Sequence, residues 1–251
     1  MPWAYVSEDS TLFLPLGKAG ALNLSNRPAP FQRDGRLNDI LVVVSDAPSA
    51  EDLRLLGRTM LLFGAGSDAY GTLRAVRAAN FNEREADANI IAVGTPATNA
   101  FLRRVNGQLY FAFNEGFDRF VSNEKQIFDD TYAQKAGAIQ LLPSPFSEER
   151  AMLVLTAAEE EGLTRLNRFV SEEKLRWGLQ NDAALIDARG RTTAYQFAEA
   201  GTQNGERPSI GQTIAQDRQS TVFTLVAVGV IFILLLAVAL VLVRARLRRK
   251  D

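Results

Sequence analysis

The 251-residue chain contains no cysteine and no histidine. Together these absences remove disulfides, cysteine nucleophiles, His-based triads and ordinary zinc sites. They also remove the commonest general acid–base catalyst, so no catalytic residues, metal ligands or cofactor are expected. A domain of this composition is held together by packing alone. A basic face is missing as well. Residues 244–251 carry five basic residues and one acidic, and the remainder carries 23 basic against 28 acidic, or about −5. Nucleic-acid recognition needs a basic face, so no nucleic-acid partner is expected.

The chain does hold one long apolar run, Thr221 to Val243, with 23 positions and no charge. At about 1.5 Å per residue this is roughly 34 Å of helix, enough to cross a ~30 Å hydrocarbon core. Arg244, Arg246, Arg248, Arg249 and Lys250 follow directly, whereas Gly201 to Ser220 carries only Arg207 and Arg218, offset by Glu206 and Asp217. The positive-inside rule then places the tail in the cytoplasm and the body outside it. The expectation is a single-pass protein of the cell (plasma) membrane with its bulk extracytoplasmic. Lipid contact is assigned to Phe223, Leu234, Leu235 and Leu236, and the inner boundary to Arg244 and Arg246. Met1-Pro2-Trp3-Ala4 lacks the features of a signal peptide. The chain is therefore read as the C-terminal piece of a longer precursor, or as one with a misassigned start.

About 200 residues remain for a folded body, ample for a core. Trp3 to Leu16 reads as entry strands, followed by a Pro-rich connector from Asn26 to Phe31. Ile40 to Val44, ILVVV, reads as a strand buried on both faces. Ser49 with Asp52 then caps a helix whose stripe is Leu53, Leu56, Met60 and Phe63. Asn89 to Val93 repeats the strand, with a short helix through Phe101, Leu102 and Val105 capped by Thr98 or Asn99. Leu109 to Phe113, Gly137 to Leu142, Met152 to Leu155 and Ala183 to Ile186 read as further strands, and Thr193 to Phe197 as an edge. Thr156 with Glu159 is expected to box the start of a helix buried through Leu163, Leu166, Phe169 and Val170. Alternating strands and helices predict an α/β sandwich with a mostly parallel sheet. The resulting division is 1–36 entry, 37–200 α/β domain, 201–220 linker and interfacial helix through Ile210 and Ile214, 221–243 span, and 244–251 tail.

Three types of site can be sought among these residues. The turn Ser45-Asp46-Ala47-Pro48 has no glycine and carries a carboxylate, so it does not suit a phosphate. Gly64-Ala65-Gly66 follows a helix rather than a strand and reads as its C-terminal loop. Asp129-Asp130, Glu159 to Glu161 and Glu172-Glu173 read as solvated helix ends. Fifteen Phe against two Trp favours core packing over stacking platforms, leaving Tyr110, Phe117 and Trp177 as the candidates for glycan contact. A tethered sugar or small-ligand module using the strand ends near Ser45, Gly94 and Thr156 is the alternative reading. A hydrolase resting on Glu159 or Asp187 is a third.

ILVVVSDAPS after Pro30-Phe31, NIIAVGTP from Asn89 to Pro96, LVLTA from Leu153 to Ala157 and NDAALID from Asn181 to Asp187 lead to a family, as does the basic-tailed span. Over most of its length the chain resembles the C-terminal portion of the periplasmic accessory (regulatory) subunit of bacterial cellulose synthase. The resemblance implies a flavodoxin-like domain over residues up to 200 and an interface helix from Pro208 to Ser220. It also implies a span that docks on the membrane-embedded catalytic subunit while the body helps guide the nascent glucan. The family also carries a first flavodoxin-like domain, at least one jelly roll and a signal peptide, which residues 1–251 are read as lacking, in keeping with the C-terminal piece of a longer precursor. Family complexes are cyclic-di-GMP-regulated, but the nucleotide site belongs to the catalytic subunit.

Overall fold

The structure is a computed structural model that describes residues 22–68 and 71–198. Its centre is strand β2, Arg36–Val44, in which Ile40, Leu41, Val42 and Val43 are all buried. Such a run needs cover on both faces, and it has it. Ile40 and Val42 join one core with Leu55 and Phe63, while Leu41 and Val43 join a second with Phe101 and Phe111. β4, Asn89–Gly94, is buried throughout and lies parallel to β2. Strand alternation thus sends successive side chains into separate cores.

The other strands are β1 (Gln32–Arg33), β3 (Gly71–Arg77), β5 (Gly137–Pro143), β6 (Ala151–Ala157), β7 (Ala183–Ile186) and β8 (Thr192–Tyr195). The helices are α1 (Ala50–Gly64), α2 (Ala100–Arg104), α3 (Asp130–Lys135), α4 (Glu160–Ser171) and α5 (Glu173–Arg176). The strands run β1-β2-β4-β6-β5-β7-β8, with β3 paired to β2. β3, β2, β4 and β6 are mutually parallel, whereas β5 is antiparallel to both β6 and β7, and β8 to β7.

This mixed sheet, forming a half-barrel, replaces the flavodoxin-like, mostly parallel sandwich expected from the sequence. The physical reason lies between β5 and β6. Only residues 144–150 join them, too few for the crossover a parallel pair needs, so the chain turns back as a hairpin. β6 then crosses over through α4 to β7, and β5 sits between them. Among the described residues no helix is long and apolar enough to cross a membrane. The stretch 221–243, the interfacial residues Ile210 and Ile214, and the entry strands at 3–16 lie outside the described residues.

Several local expectations hold. Ser49 and Asp52 form the capping box of α1: Asp52 N–H donates to Ser49 Oγ (3.1 Å) and Ser49 N–H to Asp52 Oδ2 (3.0 Å). Asn99 caps α2. α4 buries Leu163, Leu166, Phe169 and Val170, and β8 forms the sheet's edge beside β7. Others are corrected. α1 buries Asp52, Leu55, Thr59 and Phe63, leaving Leu53 half exposed, because the polar cap residue belongs to the inward stripe. Thr156 does not cap α4; its hydroxyl donates to the Gly94 carbonyl (2.8 Å), and Glu159 stands at the N-cap without a side-chain bond. β3 is exposed along most of its length, so no hydrophobic pattern in the sequence marks it.

Leu109 to Phe113 is not a strand either. Its backbone is held by side-chain amides: Phe111 N–H donates to Gln140 Oε1 (2.8 Å), and Phe113 N–H to Asn106 Oδ1 (2.7 Å). Asn123 Nδ2 donates to the Tyr110 carbonyl (2.8 Å). These groups stand in for a neighbouring strand, so the rings of Phe111, Phe113 and Phe120 pack into the core without sheet pairing beyond one bridge.

Candidate functional site

In open α/β sheets ligands settle at the carboxyl ends of the strands. Here that place falls where β2, β4 and β6 end, at Ser45, Gly94 and Thr156, the three positions the sequence singles out. All three are brought together. Gly94 has φ +134, and a Cβ there would lie 2.4 Å from Ser45 Oγ and 3.3 Å from Asp52 Oδ1. Ser45, Asp52, Asn99 and Thr156 are all buried.

The helix starts that could receive an anion are met by hydrogen bonds of the chain's own. At α1 the capping box uses Ser49 and Asp52. At α2 the Asn99 carboxamide oxygen accepts from Phe101 N–H (3.1 Å) and Leu102 N–H (3.3 Å), while its Nδ2 donates to the Val93 carbonyl (3.0 Å). Asp46 completes the closure. It accepts from Ala100 N–H (3.4 Å) and Ala79 N–H (2.6 Å), and its own N–H donates to the Thr98 carbonyl (2.9 Å). The carboxylate that makes Ser45-Asp46-Ala47-Pro48 unsuited to phosphate therefore occupies the amide a phosphate would use. The crevice is filled by the protein's own polar side chains.

Burial pushes the Asp52 carboxyl above its ordinary value, opposed by the Ser49 N–H and the Ser45 hydroxyl and reinforced by the charge of Glu160. A carboxyl raised on folding destabilises the fold above its folded value, and this cost disappears as pH falls to the ordinary value of about 3.9. Asp52→Asn, which retains an acceptor for Ser49 N–H, is therefore expected to gain stability relative to wild type near neutral pH. Denaturant titrations should show that gain shrinking as pH is lowered; a gain independent of pH would contradict it.

The carboxylate of Asp187 is buried and accepts from Arg189 N–H (2.8 Å), Arg191 N–H (2.9 Å) and Arg191 Nε (2.7 Å). Burial alone would raise its carboxyl, but these donors outweigh it and hold the value low. It organises the β7–β8 turn, and Glu159 starts α4. Of the aromatic candidates, Tyr110 stacks on Phe197 (4.6 Å between centroids, 5° between planes), and Phe117, half-buried at φ +56, packs on the same core. Trp177 follows α5 and is 75% exposed, packed in neither core. Sequence reasoning misses Asp182, which is buried and accepts from Phe197 N–H (2.9 Å) and Ala198 N–H (2.6 Å). Its position inside NDAALID reads only as the entry to a strand.

No curated protein matches the chain. A family model described as cellulose synthase BcsB, second FD domain, matches residues 23–155, a little over half of the chain. The match ends at Leu155 within β6, so it takes in the central strands β2 and β4 and the crevice residues Ser45, Asp46, Asp52, Gly94 and Asn99, and stops one residue before Thr156. BcsB proteins are accessory subunits that face the periplasm and partner the catalytic subunit of cellulose synthase. The chain belongs to the cellulose synthase BcsB family and carries its second FD domain.

Proposed function

We propose that this chain is a non-catalytic, membrane-anchored accessory subunit that supports the cellulose synthase catalytic subunit and export of its polymer. The body acts as a rigid spacer, and the apolar stretch 221–243 with its basic tail secures it to the inner membrane beside the catalytic subunit. The observation that carries this reading is the crevice at Ser45, Gly94 and Thr156, in a domain of this family, closed by Asp46, Asp52 and Asn99. A site already filled by its own hydrogen bonds supports a partner rather than turning over a substrate.

Anchoring is tested by replacing Leu234 and Leu235 with Arg. Each Arg at the centre of a span costs about 2.5–3.5 kcal/mol of insertion. The double variant is expected to appear in the soluble periplasmic fraction and to abolish cellulose formation. Undiminished polymer from cells making only this variant would refute the anchoring role.

A further inference from the structure

A cleft of about 360 Å³ opens beside the C-terminal half of α1, the end of α4 and α5. Leu61, Leu62, Ala65 and Val170 form its apolar wall, and the charged side chains lining it are Arg58 and Arg176, with no carboxylate among them. Arg58 is held from behind: its Nη1 donates to the carbonyl (3.2 Å) and the Oδ1 (2.8 Å) of Asn167. Asn167 in turn donates to Glu51 (3.0 Å), whose charge is paired with Arg54. On the far side, Glu172 is paired with Arg168 (2.8 Å). Of the carboxylates on these helices, Glu51 is paired chiefly with Arg54 and Glu172 with Arg168, and Glu173 is exposed on α5; none of them lines the cleft.

Arg176 is the informative residue. Its carbonyl accepts from Arg27 Nη2 (3.2 Å), which fixes its backbone. Its Nε is buried with no hydrogen-bond partner among the described residues, and its charge faces that of Arg27. Beside a like charge and with no side-chain hydrogen bond among the described residues, the Arg176 guanidinium lining the cleft leaves its outer N–H groups for an acceptor from outside the chain. Two guanidinium forks match the oxygens of a phosphate. The cleft is larger than a bare ion requires, and its apolar wall suits a carbon skeleton.

We propose that this cleft binds a phosphate ester, its phosphate between Arg58 and Arg176 and its carbon skeleton against Leu61, Leu62 and Val170. Soluble sugar phosphates and phospholipid head groups share this chemistry, and the test separates them. The full chain carrying Trp3→Phe reports binding through Trp177, which adjoins Arg176. It is titrated with glucose 6-phosphate, with inorganic phosphate, and with phosphatidylglycerol or phosphatidylcholine vesicles. Saturable binding of the sugar phosphate, or of phosphatidylglycerol over phosphatidylcholine, is expected and identifies the source. Arg176→Gln should weaken it at least about tenfold, and inorganic phosphate should bind about tenfold more weakly than an ester. Without ligand, Arg176→Gln should melt no lower than its parent, since its guanidinium makes no hydrogen bond among the described residues. Absence of saturable binding up to about 10 mM, or equal affinity in Arg176→Gln, would overturn the proposal. A lower melting temperature of the ligand-free variant would do the same, because it would give the guanidinium a purely structural task.

Discussion

Gly94→Ala should lower the melting temperature of the domain by about 4–24 °C. Two costs combine at this position. A φ of +134 lies where L side chains are rarely found, and occupying it costs about 1–3 kcal/mol. The added methyl would also lie 2.4 Å from Ser45 Oγ, 3.3 Å from Asp52 Oδ1 and 3.7 Å from Asn99 Cβ, all buried residues. Overpacking of this kind adds about 1–3 kcal/mol. Against a total stability of about 5–15 kcal/mol, the sum is a large fraction, and each kcal/mol shifts melting by about 2–4 °C at this size. Gly107→Ala provides the contrast: nothing lies within 4 Å of its added Cβ and no left-handed φ is involved. Circular dichroism melts should separate the two variants widely. Similar melting temperatures would mean that the crevice is looser than its hydrogen bonds imply.

Gln140→Leu should destabilise by about 2–4 kcal/mol although it preserves side-chain volume. Gln140 is fully buried on β5, and its carboxamide accepts from Phe111 N–H (2.8 Å) and donates to the Phe111 carbonyl (3.4 Å). Leucine would leave both backbone groups buried without partners. Since Phe111 packs edge-on to Tyr195 and Phe197, losing its tether should loosen the aromatic side of the sheet before the α1–α4 side. Hydrogen exchange should show this as faster exchange at Phe111 and Phe113 with α4 little changed. Unaltered protection at Phe111 would show that the ring, rather than the amide, sets that segment.

The parts of the fold that could be read from the sequence are those in which local chemistry and tertiary packing agree. Ile40 to Val44 and Asn89 to Val93 are apolar on both faces because both faces are covered, and Ser49 with Asp52 caps a helix wherever that pattern precedes one. Strand direction is a different kind of information. The apolar runs of β5 and β6 do not say that the short segment 144–150 forces a hairpin, and the antiparallel half of the sheet follows from that loop length. Leu109 to Phe113 has the composition of a strand, but its partner is a glutamine side chain 29 residues beyond Phe111, which no periodicity reveals. Thr156 and Glu159 have capping-box spacing, yet the hydroxyl finds a better-placed acceptor at Gly94 across the sheet. The crevice was legible in its negative aspect, since Asp46 marks a turn unsuited to phosphate. That Asp46 itself takes the α2 amide required the fold. Nothing in the sequence pattern set Arg58 and Arg176 together, because they come from helices far apart along the chain.

The central proposal is that this body serves the cellulose synthase catalytic subunit through the membrane-proximal end of the chain. The most direct measurement is co-purification of that subunit from detergent-solubilised membranes, using wild-type chain and Leu234→Arg/Leu235→Arg side by side. The wild type should retain the catalytic subunit and the double variant should lose it. Equal retention by both would contradict the proposal and shift the contact onto the folded body.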